Sequence, residues 1–186
     1  MKIGLIRWVG QRPIGHGALA CLDDGGQTQA LSVEVERRGD RLWLRFVAEG
    51  DPDRIAWPSQ AEPGRADDLW RHTCFEAFVA GEGGGYGEFN LSPSGQWASY
   101  QFEAYREGMR PAGEEAVVLG LDGGADYAVL EAEIALPADA QRLGLSAVIE
   151  TREGAMTYWA LAHPSDKPDF HHPETMTLAL PAAEPS

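Results

Sequence analysis

The sequence predicts an all-β chain, a β-sandwich of two antiparallel sheets forming a single domain over residues 1–186 with a frayed tail at 181–186. Three observations carry that expectation. Roughly ten short stretches alternate apolar and polar residues with a period of two, which marks strands with one face buried. They recur every ~8–15 residues between Gly- and Pro-containing turns, the spacing of sandwiches and barrels. No long amphipathic helical pattern and no internal repeat interrupts the series.

In chain order, residues 3–9 read as a short extended segment or strand, and residues 18–22 as an apolar stretch closed by the turn cluster Asp23-Asp24-Gly25-Gly26. Residues 31–37 set Leu31, Val33 and Val35 against Ser32, Glu34 and Glu36, and residues 41–48 set Leu42, Leu44 and Phe46 against Trp43, Arg45 and Val47. Arg38-Gly39-Asp40 between them makes a hairpin. Residues 51–67 form a loop carrying Pro52, Pro58 and Pro63, and loops of that length in compact domains are usually functional or mobile. Residues 73–80 put Phe75, Ala77 and Val79 on one face and Cys74, Glu76 and Phe78 on the other. Beyond the connector 81–85, residues 86–91 send Tyr86, Glu88 and Asn90 one way and Phe89 and Leu91 the other. A turn at 92–95 leads into residues 97–105, where Ala98, Tyr100, Phe102 and Ala104 oppose Trp97, Ser99, Gln101, Glu103 and Tyr105. Further strands are expected at 127–136, 143–151, 157–161 and 176–180, with a Pro/Asp-rich loop, HPSDKPDFHHP, at 163–173.

Charge narrows the partners. With 29 acidic against 15 basic residues the formal charge is −14, a field that repels phosphate backbones and anionic lipid, so neither nucleic acid nor membrane is an expected partner. No run reaches the ~18 apolar residues of a spanning helix, and the opening MKIGLIRWVGQRP lacks a signal peptide's apolar core. The expectation is a soluble, cytoplasmic protein; its oligomeric state is left open. Cys21 and Cys74 read as two buried, reduced thiols, with a single bridge as the alternative. The spacing of His72, His163, His171 and His172 matches no usual zinc pattern. No nucleotide-binding, serine-hydrolase or metalloprotease motif occurs, nor the CxxCH of covalently attached haem. No metal or cofactor is therefore expected. Haem held between Met109 or Met156 and a histidine is the alternative.

Sugar recognition needs flat rings against the apolar C–H faces of a pyranose, and acceptors and donors for its hydroxyls. The face read as holding Tyr86, Glu88, Asn90, Trp97, Gln101 and Glu103 supplies both, and Trp70 lies just ahead of it. The competing reading of that face is a second packing interface. Glu76 stands out in an apolar strand: it is either paired, with Arg106 or Arg110, or it lines a site, because a lone buried carboxylate is costly. Glu76 and Glu88 as a hydrolytic pair is a weak signal in so acidic a chain.

LWRHTCFEAFV, YGEFNLSPSGQWASYQFEAYREGM and YWALAHPSDKPDFHH resemble the bacterial DOMON-like proteins, related in fold to the family 9 carbohydrate-binding modules. The resemblance covers residues 31–177 and implies a jelly-roll-like β-sandwich. In the related modules two tryptophans clamp a sugar, which on this chain implies Trp70 with Trp159 as its partner. Their hydrogen-bonding positions map onto Glu88, Asn90 and Gln101. Other DOMON relatives bind haem through Met and His, for which Met109 and His163 are the matching residue types. The functional expectation is a non-catalytic domain that binds a carbohydrate or sugar derivative. Trp70, Trp97 and Trp159 would stack, and Glu76, Glu88, Asn90, Gln101 and Arg106 would hydrogen-bond. The alternatives are a haem or redox domain, a saccharide-processing enzyme, and a protein-interaction module. Pro164, Pro168 and Pro173 would stiffen the 163–173 loop if it covers the site.

Overall fold

The structure is a computed structural model and describes residues 1–8 and 28–180. The expected 18–22 segment, the turn after it, Cys21 and the tail at 181–186 lie outside the described residues. The described chain forms β1 (Lys2–Arg7), β2 (Thr28–Arg38), β3 (Arg41–Gly50), β4 (Gly64–Arg65), β5 (Cys74–Ala80), β6 (Tyr86–Leu91), β7 (Gln96–Phe102), β8 (Arg110–Pro111), β9 (Ala116–Gly123), β10 (Tyr127–Ala135), β11 (Arg142–Glu150), β12 (Met156–Ala160) and β13 (Leu178–Ala179). Three single-turn 3₁₀ segments are the helical elements among the described residues, and none is long or apolar enough to cross a membrane.

The strands make one sheet, ordered β4-β7-β6-β5-β11-β12-β1-β2-β3-β10-β9, with β13 on β11 and β8 on β7. This corrects the expectation of two separate sheets. β1 is the joint: Lys2 to Leu5 pair with β2, while Ile6 and Arg7 pair with β12. A period-two pattern shows which face of a strand is buried, not which neighbours it hydrogen-bonds, so a strand shared between two halves is invisible in it. The far ends of the sheet approach each other as well. The Ser99 hydroxyl on β7 donates to the Glu114 carbonyl ahead of β9 at 2.6 Å, and the Ala112 N–H donates to the Ser99 carbonyl at 3.0 Å. The sheet is thus folded over and nearly closed into a barrel.

The core fills the space between the halves. Val33, Leu44, Phe46 and Leu130 from β2, β3 and β10 meet Phe75, Phe89, Leu145 and Trp159 from β5, β6, β11 and β12, all buried. Phe46 and Phe75 pack at 4.9 Å between ring centroids. The opposite face of β2, β3 and β10 is solvated and carries ion pairs: Arg45 lies between Glu34 and Glu131 at 3.8 and 3.3 Å, directly opposite both in register. The β2–β3 hairpin turns on Gly39 at φ 64, a left-handed backbone that glycine adopts without a Cβ clash.

The other half differs. Every residue of β6 and all but the last of β5 are buried, because a second apolar cluster containing Phe78, Tyr86, Tyr100, Phe102, Phe170 and Met176 covers their outer face. Phe170 and Met176 come from the segment after β12, which crosses back over the sheet.

Several element bounds depart from expectation. β9 was not anticipated: Val117, Leu119 and its glycines are mostly exposed, and a bulge beside Ala132 breaks the alternation. β7 stops at Phe102 rather than residue 105, where the chain turns through Arg106 at φ 57. The strand expected at 176–180 is the two-residue β13. Within the 51–67 loop, Ile55 is buried and bridges to Thr151.

Candidate functional site

Register decides what gathers on the outer face of β5, β6 and β7. Glu76 lies opposite Asn90, and Asn90 opposite Ala98; Phe78 lies opposite Glu88, and Glu88 opposite Tyr100; Tyr86 lies opposite Phe102. Directly opposed residues share a face. The carboxylates therefore sit with Tyr100 and Phe102, and not with Trp97, Gln101 and Glu103.

Above this face is a cleft of about 700 Å³, lined in part by Trp70, Tyr100, Phe102, Met109, Met156, Tyr158 and Phe170. Its polar lining is Glu76, Glu88, Arg71, Arg106 and His171. Trp70 rides on the 3₁₀ turn Leu69–Arg71 before β5, half exposed, with the Arg71 guanidinium 5.3 Å from its ring centroid. Such a volume and a mostly apolar lining with a few convergent polar groups are typical of small-molecule sites.

The polar groups are organised around two buried acids. The Ser146 hydroxyl on β11 donates to Glu76 Oε2 at 2.9 Å; the other Glu76 oxygen has no hydrogen-bond partner among the described residues. Asn90 donates its amide to Glu88 Oε1 at 2.7 Å. Burial first, and then the neighbouring Glu88 charge, push Glu76 up to about 8 against the pull of the Ser146 bond. Burial also raises Glu88, opposed by the Asn90 bond and by the Arg106 charge. The expected pairing of Glu76 with Arg106 or Arg110 does not form. Arg106 donates instead to Asp169 at 2.8 Å, and Arg110 lies on the exposed two-residue β8.

The segment after β12 is pinned over the cleft. The Asp169 carboxylate is buried, bonded by Arg106 and by the Tyr105 hydroxyl. Burial pushes it up, but these two donors outweigh that and hold it below the usual carboxylate range. His171 packs edge-on to Phe78, Tyr86 and Phe102; burial, then the Arg106 charge, lower it to about 4, so it is neutral near pH 7. The Tyr86 oxygen accepts the Arg106 backbone N–H at 3.2 Å and lies 2.8 Å from His171 Nδ1. The other ring nitrogen, Nε2, lies 3.9 Å from Glu88 Oε2.

Of the residues the sequence singled out, Trp70, Glu76, Glu88 and Arg106 line the cleft, and Asn90, fully buried, holds Glu88 in place. Three lie elsewhere. Trp97 packs on the main core, Gln101 bonds the Phe102 carbonyl, and Trp159 is buried in the core with its indole N–H on Thr157. Its neighbour Tyr158, on the other face of β12, lines the cleft instead. Met109 also lines the cleft, but His163 does not; its Nε2 lies 2.7 Å from the Ile6 carbonyl. The Met109–His163 pair is thus not assembled there. Tyr100, Phe102, Tyr158 and His171 went unrecognised. Counting register across the 92–95 turn would have found the first two. Cys74 is a buried free thiol, and burial, followed by the Glu76 charge, raises it well above its ordinary value.

The fold and cleft define an all-β chain with a cavity of small-molecule size. No protein-family profile matches the sequence, and no curated protein does. Among solved structures, the chain is similar to a proposed carbohydrate-binding protein from Bacteroides uniformis. The TM-score is 0.55 at 13% sequence identity, over 94% of this chain and 83% of that one. The similarity is one of fold.

Proposed function

We propose that the cleft binds a small carbohydrate or sugar derivative without transforming it. The observation that carries the reading is the pairing of aromatic walls, Trp70, Tyr100 and Tyr158, with buried acceptors, Glu76 and Glu88, in one cavity of about 700 Å³. Rings stack on the C–H faces of a pyranose, and carboxylates accept from its hydroxyls. The Bacteroides uniformis protein of similar fold is itself proposed to bind carbohydrate, and the DOMON-like sequence resemblance leans the same way.

A thermal-shift screen against mono- and oligosaccharides tests it. A ligand that binds only the folded state raises apparent stability by about 2.7 kcal/mol at a hundredfold excess over its Kd. The expected outcome is a rise with one sugar class that Trp70→Ala or Tyr158→Ala weakens by about tenfold or more. Trp159→Ala, by contrast, should lower the unliganded stability by about 3–5 kcal/mol, as core truncations of that size do. A flat response across the panel would sink the reading. Turnover of an aryl glycoside that Glu88→Gln abolishes would replace binding by hydrolysis.

A further inference from the structure

We infer that the ligand carries an ammonium group seated between Glu76 and Glu88, so that the preferred class is a sugar with a free amine. This rests on the saccharide reading above and narrows it. Both glutamates are more than nine-tenths buried, at 3% and 6% exposed, yet both line the cleft. Neither forms an ion pair with an arginine or lysine among the described residues. Arg106 reaches Glu88 through space, but its charge is matched by Asp169 at 2.8 Å, and Arg71 is matched by Asp68 at 3.1 Å. His171, wedged among the rings of Phe78, Tyr86 and Phe102 at 5.1–5.8 Å, stays neutral. The two arginines of the cleft lining are thus already paired. Glu76, raised to about 8, holds a proton near neutral pH that it would release to solvent on meeting an ammonium but not on meeting a neutral hydroxylic ligand.

The acceptor geometry selects the kind of cation. Glu76 and Glu88 are diagonal neighbours on one face of β5 and β6, about 7–8 Å apart with their Cβ atoms somewhat closer, so one small group can lie between their carboxyl ends. Glu76 has an oxygen without a partner, and Glu88 Oε2 has only the His171 nitrogen at 3.9 Å. A primary ammonium brings three N–H donors to such acceptors; a quaternary ammonium brings none. Trp70, Tyr100 and Tyr158 line the same cleft and offer aromatic surface to the sugar ring attached to the ammonium. The net charge of −14 favours approach of a cation over an anion.

The test is isothermal titration of the full chain near neutral pH with glucosamine, glucose, N-acetylglucosamine and ethanolamine. Charge-assisted hydrogen bonds lead to the expectation that glucosamine binds about tenfold tighter than either neutral sugar. Glu76→Gln and Glu88→Gln should each erase that preference, with folding checked by circular dichroism; glutamine can still accept from Ser146 or Asn90. Equal affinity for glucosamine and the neutral sugars would overturn the ammonium seat and leave the saccharide reading standing. Ethanolamine binding as tightly as glucosamine would overturn the sugar half. No binding by any of the three sugars would overturn both.

Discussion

Glu76 shows how much one side chain can disclose. A glutamate in an otherwise apolar stretch must be paired, protonated or in use, and in this fold it has one serine donor, a second glutamate nearby and a cleft above it. Its folded pKa, about 8, lies above the ordinary 4.5. The folded state therefore holds a proton that the unfolded chain releases as pH rises through 4.5. The associated stability is complete below 4.5, declines as pH rises, and is lost by about 8. Urea unfolding across that range should show stability falling with pH at up to about 1.4 kcal/mol per unit, and Glu76→Gln should flatten the decline. An unchanged slope in the variant would mean that Glu76 is not the group responsible. Cys74, buried beside it with a raised pKa, should react with thiol reagents only on unfolding. The peculiarity of Glu76 was legible in the sequence; its partner was not, because Arg106 goes to an aspartate 63 residues further along the chain.

Among the elements, the β5–β6–β7 meander and the segment after β12 make the site together. The strands present the acids and rings, and the segment brings Phe170 and His171 over them, held through Asp169. Arg106 supports that hold from a left-handed backbone position, which for a non-glycine residue costs of order 1–3 kcal/mol. Asp169→Asn should weaken this anchor by about 1.5–3 kcal/mol, the range of hydrogen bonds to charged groups. The expected readouts are faster amide exchange at 168–172 and weaker ligand binding; exchange unchanged from the parent would show that the anchor lies elsewhere. Period-two reading found β5 and β6 and gave each the right faces. It matched β6 to the wrong face of β7 because both faces of β7 carry aromatic rings, Trp97 and Tyr100, and polarity alone does not rank them. The turn's register does: Leu91 pairs with Trp97, so Glu88 meets Tyr100. On β12 the resemblance pointed to Trp159, whereas its neighbour Tyr158 lines the cleft.

At the scale of the whole molecule, the sheet is continuous through β1 and nearly closed where β7 meets the approach to β9. The two halves share one core, and the Phe46–Phe75 contact spans it. Phe46→Ala should cost about 3–5 kcal/mol, and tryptophan fluorescence and circular dichroism should lose their signals in one coincident transition, the mark of two-state unfolding. Two separate transitions would mean that the halves unfold independently. The sequence by itself determined the all-β class, most of the strands and which of their residues face a core, because those follow from local alternation, turn chemistry and composition. Tertiary structure alone decided that β1 joins both halves, that Trp159 is core while Tyr158 lines the cleft, and that two glutamates from different strands share it. Those outcomes rest on pairing register and on contacts between residues far apart in the chain, and a period-two pattern carries neither.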